Sequence, residues 1–326
     1  MKVRLISVGR LPWYRKEGPL HFFYTPRLGL PYIAAVTPPE WDVDLLDGVE
    51  VEDIPFDDPV DLVAFSVLTP FANESYRAAS RYRERGVRVV MGGVHATLVP
   101  HEERQHADAV VTGEGEELWP RLLRDFAGGR LQEFYSQEKP VDFDALPPPR
   151  FSILRSSGYF VANGIQLVRG CPHGRECPFC TVPKVFGRQH RVMPIDRAIE
   201  EIRRCAAGNG PSGINVSACC ALNHTDYLRA FAKAIAPANV RWCGGALLHL
   251  INDPDYLRLL RASGRKLERP DGERDDGRLW FFARLDQLAQ DSAALIAVRL
   301  THAVADGGEA GLGIGSVVLE RAFGGF

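Results

Sequence analysis

Three cysteines, Cys171, Cys177 and Cys180, lie in the single phrase GCPHGRECPFC. Thiolates are soft ligands, and three on one short loop can hold three irons of a [4Fe–4S] cluster while leaving the fourth iron open to another ligand. A loop with four cysteines would close the site instead. The same loop also permits a zinc site completed by His173, His190 or Cys205, because zinc takes four nitrogen or sulfur ligands in a tetrahedron. Seven cysteines is an odd number, which suits a metal or cluster loop better than the disulfide framework of a secreted chain. Cys205 shares the apolar face of an expected helix with Ile195, Ala198, Ile199 and Ile202 and reads as core. Cys219 and Cys220 follow an expected strand and read either as a neutral strand end or as extra redox groups.

The loop needs elements to hold it, and the flanking sequence supplies them: Gly164–Arg169 (GIQLVR) predicts a strand and Ile195–Cys205 (IDRAIEEIRRC) an amphipathic helix. Upstream, apolar runs at Lys2–Val8, Val43–Asp47, Asp61–Val67, Val87–Met91 and Asp108–Thr112 predict five strands, most of them ending in glycine. Helices are expected at Ala72–Arg85 and Glu116–Phe126. Continuously apolar strands separated by helices predict an α/β fold with a doubly wound, Rossmann-like parallel sheet. Ligands of such sheets lie off the carboxyl ends of the strands. The loops there offer Ser66 and Thr69, then Gly92, Gly93, Val94 and His95, then Gly113, Glu114 and Gly115. Glycine allows close approach of backbone to a ligand, but it serves equally to make tight strand-to-helix turns. No G-x-G-x-x-G follows the first strand, which weakens a dinucleotide reading.

A chain of 326 residues, 45% hydrophobic and 25% charged, fits two globular domains. Its formal charge of −2 argues against a general nucleic-acid binder, whose affinity rests on clustered cations. No apolar run approaches the roughly 20 residues needed to cross a bilayer, and Gly9, Arg10 and Pro12 break the N-terminal stretch, so a cytoplasmic location is expected. The charged, proline-rich segment 131–163, with three consecutive prolines at 147–149, predicts a linker between domains.

The order PRLGLPYIAA (Pro26–Ala35), TPPEWDVDLLD (Thr37–Asp47), the Ser66–Thr69 loop, MGGVHATLVPHE (Met91–Glu102), HADAVVTGEGEELWP (His106–Pro120) and LLRDFAGG resembles the cobalamin-binding domain that precedes a radical S-adenosylmethionine domain. The likeness covers residues 1–130. RGCP, CPFC, TVP, FGR and the R-x-M-P phrase that follows are similar to the first strand, cluster loop and first helix of a cobalamin-dependent radical S-adenosylmethionine protein. The resemblance implies a cobalamin on the strand ends, with the Met91–Thr97 and Gly113–Glu116 loops around its nucleotide tail. It implies Cys171, Cys177 and Cys180 as ligands of a [4Fe–4S] cluster whose open iron chelates S-adenosylmethionine, and Phe179 beside the adenine. Electron transfer to that cofactor, from a flavodoxin- or ferredoxin-type donor, generates a deoxyadenosyl radical in the family. A methyltransferase acting on an unactivated carbon is one activity it implies; the substrate is not legible. The family's usual C-x3-C-x2-C is C-x5-C-x2-C here. The D-x-H-x-x-G phrase that supplies an axial histidine in other cobalamin proteins is absent, so His95 is expected to be a loop residue rather than a cobalt ligand.

The likeness defines a partial (β/α) radical barrel over 164–264 and stops at Gly264. About three of the barrel's strands are legible. In the last 62 residues, Arg278–Val304 predicts a helix from Leu279, Phe282, Leu285 and Leu288, and Gly307–Phe326 is too glycine-rich to assign. A frameshifted or truncated coding region would give such a change. A half barrel exposes strand edges and opens a radical site to water. The alternative expectation is therefore a non-catalytic protein that binds cobalamin or a metal, with a degenerate barrel.

Overall fold

Residues 1–9, 27–154, 163–171, 180–208, 214–218, 225–238, 240, 242–247, 254–263, 279–284, 295–300 and 318–319 are described by the computed structural model of the protein. The chain forms two units. One comprises Met1–Ala162 with Arg169–Val192, and the other Asn163–Val168 with Met193–Phe326.

In the first unit, β1 (Lys2–Val8), β2 (Asp42–Val49), β3 (Leu62–Ser66), β4 (Arg88–Gly92), β5 (Ala109–Thr112) and β6 (Phe134–Ser136) form one sheet in the order β2-β1-β3-β4-β5-β6. Every neighbouring pair is parallel. The helices are α1 (Gly29–Ala35), α2 (Ala72–Glu84), α3 (Val94–Leu98), α4 (Pro100–His106) and α5 (Leu118–Ala127). Side chains of a strand alternate between faces, and both faces here are apolar. Val3, Leu5, Leu62 and Ala64 pack with Leu30 of α1 and Trp119 and Leu122 of α5, while Ile6, Val8, Val63 and Phe65 pack with Tyr76, Ala79 and Tyr82 of α2. Arg4 is fully buried between them in sequence, and a cation survives there only with its donors engaged. Its guanidinium donates to Asp44 at 2.8 Å, to the carbonyl of Pro55 at 2.6 Å and to the Tyr82 hydroxyl at 3.0 Å.

The segment expected to be a linker contributes to this unit. Phe134–Ser136 adds the sixth strand beside β5, and Val141, Phe143, Leu146 and Phe151 are buried. Apolar residues spaced among the charges and prolines give the segment something to bury, so it packs instead of spanning. Beyond it come β7 (Asn163–Arg169), α6 (Val182–Val185) and the two-residue β8 (Arg191–Val192). The residues from Arg169 to Val192, expected with the barrel, group with the first unit.

The second unit runs α7 (Ile195–Gly208), β9 (Ile214–Ala218), α8 (Thr225–Ile235), β10 (Trp242–Leu247), α9 (Pro254–Ser263), β11 (Leu279–Arg284), β12 (Leu295–Leu300) and β13 (Val318–Leu319). Strands β7, β9, β10 and β11 are adjacent and parallel. Leu228, Phe231, Ala232 and Ile235 bury one stripe of α8, and the Phe231 ring meets Trp242 edge-on at 5.8 Å. Where a helix is expected over Arg278–Val304, the described residues form the strands β11 and β12 instead, paired antiparallel from Leu279↔Leu300 to Arg284↔Leu295. LWFFAR and LIAVRL are rich in aromatic and β-branched residues, which favour strands, and β10 offers an edge for the first of them. A fourth parallel strand thus follows the three legible ones, and β12 and β13 continue the sheet antiparallel. Among the described residues, no helix is long and apolar enough to cross a membrane.

Candidate functional site

The carboxyl ends of β3, β4 and β5 are tied to one another by backbone. The amide of Val67 donates to the Gly92 carbonyl at 2.8 Å, and the His95 amide donates to the Val67 carbonyl at 3.1 Å. Thr97 joins the next pair: its hydroxyl donates to the Gly93 carbonyl, and the Gly113 amide donates to the Thr97 hydroxyl at 2.9 Å. Gly93 makes this approach possible. Its φ is +96°, and a Cβ there would lie 3.0 Å from the Val67 nitrogen and 3.1 Å from Ser66 Oγ. A Gly93→Ala variant is accordingly expected to lose about 1–2 kcal/mol of stability from the left-handed backbone alone, measured by urea unfolding. An unchanged midpoint and slope would show that the loop relaxes at no cost.

Of the residues expected around a ligand, Ser66, Thr69, Gly92, Gly93, Val94, Gly113 and Gly115 keep partial or full exposure. His95 and Glu114 are buried. Both ring nitrogens of His95 are engaged: Nδ1 lies 3.1 Å from the Thr69 hydroxyl and Nε2 lies 3.2 Å from the Tyr76 hydroxyl. The Tyr76 hydroxyl donates to Glu102 at 3.0 Å, so Nε2 is the nitrogen that carries the proton and Nδ1 accepts from Thr69. Burial, then Glu103 and Glu102, push the Tyr76 phenol up, which keeps it a donor.

Glu114 takes a different set of partners. Its carboxylate accepts from Arg169 at 2.8 Å, from Arg191 at 2.9 Å, from the Gln137 amide at 3.0 Å and from the Val141 backbone at 3.1 Å. Burial pushes this carboxyl up, but the Arg191 hydrogen bond and the Arg169 charge outweigh it and hold it below the usual carboxylate range. Arg169 also donates to Glu116 at 2.6 Å, and its guanidinium lies 5.3 Å from the Tyr32 ring and 5.0 Å from the Phe143 ring. Arg191 further donates to the carbonyls of Val141 and Phe186.

These two arginines flank the cysteine segment. Gly170 follows Arg169 with φ +81°, and a Cβ there would sit 2.0 Å from the Gln189 carbonyl oxygen, so the chain crosses itself at a point where no side chain fits. The Cys171 amide donates to the Gly187 carbonyl at 3.1 Å. Cys171 is buried, Cys180 is half-buried, and neither forms a disulfide. Cys177, Phe179 and His173 lie outside the described residues, as do Cys219 and Cys220; among the described residues no three His, Cys, Asp or Glu side chains gather as a metal site. His190 is half-buried. Cys205 belongs to the second unit and is half-buried on α7, whose Ala198, Ile199 and Ile202 are buried. Burial, with Glu201 adding, pushes its thiol up to about 11, the behaviour of a packed thiol rather than a ligand thiolate.

The donors available fit the groups the sequence implies. Two thiols outside any disulfide, Cys171 and Cys180, stand at the ends of the cysteine segment, and a hollow of about 410 Å³ opens beside Thr97, Thr112 and Gly113, with His101, Gln137 and Lys184 on its walls. Its polar lining suits the amide-bearing rim and phosphate of a cobalamin. Sequence reasoning placed Glu116 only within the Gly113–Glu116 loop and did not single out Arg169, Arg191 or Tyr76 for the site. The signal present was charge inside otherwise apolar or glycine-rich phrases, namely the arginine of RGCP, that of R-x-M-P and the second acid of GEGE.

Residues 22–123 match the family model of the B12 binding domain. The chain is 33% identical over 186 residues to bacteriochlorophyllide d C-8(2)-methyltransferase of Chlorobaculum tepidum, a match covering 54% of this chain and 41% of that protein. It is 29% identical over 252 residues to bacteriochlorophyllide d C-12(1)-methyltransferase of the same organism, covering 74% of this chain and 54% of the relative. The chain thus spans about half the length of these curated relatives. The fold is shared with TsrM, a radical S-adenosylmethionine methyltransferase from Kitasatospora setae, at a TM-score of 0.59 and 16% identity, over 83% of this chain and 60% of that one. On these matches residues 22–123 form a B12 binding domain, and the chain is similar over its matched part to methyltransferases and in fold to a radical S-adenosylmethionine methyltransferase.

Proposed function

We propose that this chain carries the cofactor-binding machinery of a cobalamin-dependent radical S-adenosylmethionine methyltransferase. The observation that carries the reading is the pairing of a B12 binding domain with a segment that places three cysteines in the phrase CPHGRECPFC, of which Cys171 and Cys180 form no disulfide. Bound in such a protein, cobalamin supplies a carrier for a methyl group and a [4Fe–4S] cluster supplies a low-potential electron to S-adenosylmethionine. Cys171, Cys177 and Cys180 hold the cluster, with Phe179 beside the adenine. Ser66, Thr69, Gly92, Gly93, Val94, Gly113 and Gly115 present the exposed strand ends to cobalamin. His95, fixed between Thr69 and Tyr76, orders the floor beneath them and does not reach for the metal. A flavodoxin- or ferredoxin-type protein delivers the electron. The methyl acceptor belongs to the same broad class as the relatives' substrates, large molecules methylated at carbon.

Anaerobic reconstitution with iron, sulfide and hydroxocobalamin tests this. The wild-type chain is expected to take up roughly four irons and one cobalamin, to cleave S-adenosylmethionine under a strong reductant, and to show a base-off cobalamin spectrum. Cys171→Ala is expected to lose the cluster and keep the cobalamin. One tightly held zinc without iron would overturn the cluster reading, a histidine-ligated spectrum would overturn the assignment of His95, and a formed cluster that cleaves nothing would leave a non-catalytic cofactor-binding protein.

A further inference from the structure

We infer that Glu114 is a positioning residue for the cysteine loop rather than a contact of cobalamin. The inference rests on the cluster reading above and deepens it. One buried carboxylate accepts from Arg169, two residues before Cys171, and from Arg191, eleven residues after Cys180. Both roots of the segment holding the three cysteines are therefore fastened to a single point at the carboxyl end of β5. The fastening is specific in its geometry. Arg169 is held in a fork between Glu114 and Glu116 and packed by Tyr32 and Phe143, which leaves it little rotamer freedom. Arg191 uses a second nitrogen on the Val141 carbonyl, so its guanidinium spans two partners. Between these roots the chain crosses itself at Gly170 against Gln189, and the Cys171 amide is held by Gly187.

Nothing of Glu114 is left for a ligand. Its carboxylate has four donors around it, its backbone amide donates to Gln137 at 2.8 Å, and its side chain is 1% exposed. The loop length makes the fastening matter. The spacing C-x5-C-x2-C is two residues longer than the family's usual phrase, and closing a longer loop costs more conformational freedom. Fixing both ends removes part of that freedom before any metal arrives, which is the role of a supporting shell around ligands.

The test uses the full chain with Glu114→Gln, which keeps the shape and removes the charge, and Arg191→Lys, which keeps the charge and removes the fork. Three readouts are taken. Iron and sulfide content with the cluster's electron paramagnetic resonance is expected to fall about tenfold in Glu114→Gln at limiting iron, in line with the effect of outer-shell substitutions on metal affinity. Cobalamin affinity is expected to stay within about twofold, because the carboxylate is 1% exposed and engaged by protein donors. In the metal-free protein, alkylation of Cys171, followed by mass spectrometry, is expected to quicken about tenfold as local opening becomes easier, with Cys205 as the internal reference. Arg191→Lys is expected to give an intermediate result in both affected readouts. Normal iron uptake with normal Cys171 protection in Glu114→Gln overturns the inference, and so does loss of cobalamin with the cluster retained. If the wild type takes up no iron the cluster reading fails, and the alkylation arm then decides the fastening by itself.

Discussion

Replacing Arg169 by methionine is expected to lower the stability of the first unit by about 3–5 kcal/mol, the range for removing one member of a buried ion pair. The side chains of Arg169, Glu114 and Glu116 are 3%, 1% and 7% exposed. Removal of the guanidinium leaves Glu116 without its ion-pair partner and Glu114 with Arg191 alone, in a region where the remaining charge has little water to turn to. Methionine restores much of the volume against Tyr32, Phe143 and Phe186, so the loss is electrostatic rather than a cavity. For a unit of this size the thermal midpoint is expected to fall by roughly 10 °C. A further Glu116→Gln change in the methionine background is expected to recover part of the loss, since the stranded charge is its main source. A methionine variant that melts with the wild type would show that the carboxylates are satisfied without Arg169.

The second large effect concerns Glu103 on α4. Its side chain is fully buried and neither carboxyl oxygen has a hydrogen-bond partner. Burial, reinforced by the neighbouring Glu102, pushes its pKa up to about 8. The folded state therefore binds a proton that the unfolded chain releases near pH 4.5. Stability contributed by the neutral form is fully present below that value and is lost as the pH rises through about 8, a total of about 4–5 kcal/mol. Glu103→Met removes the titration. Its stability advantage over the wild type is expected to widen between pH 5 and pH 9, as measured by urea unfolding at fixed ionic strength. Parallel profiles for the two proteins would place the carboxylate in contact with water or a cation.

The strands of the first sheet were legible because apolar runs ending in glycine leave little choice of structure. β1, β3, β4 and β5 fall within a residue or so of their expected places. The sixth strand was hidden because Phe134–Ser136 is short and lies among charges; its pairing is decided by the free edge of β5, which local sequence does not reveal. β11 and β12 show the converse. Leu279, Phe282, Leu285 and Leu288 fit a helical period, yet the run of three aromatics, Trp280, Phe281 and Phe282, beside an available parallel edge forms a strand instead. At the site, sequence placed the loops but not the partners of their side chains. Glu114 and Arg191 are 77 residues apart, and only the return of the chain over β5 brings them together.

That separation also dictates an order of events during synthesis. The first unit is discontinuous, its last piece being Arg169–Val192, so the sheet through β6 leaves the ribosome before either arginine of the hub exists. At about 5–20 residues per second, Glu114 waits several seconds for Arg169 and longer for Arg191. Through that interval the donors already made for the carboxylate are the Gln137 amide and the Val141 backbone, with neither cation yet present. The arrival of Arg191 comes after the last of the three cysteines, so the fastening closes only when every thiol of the loop has been made.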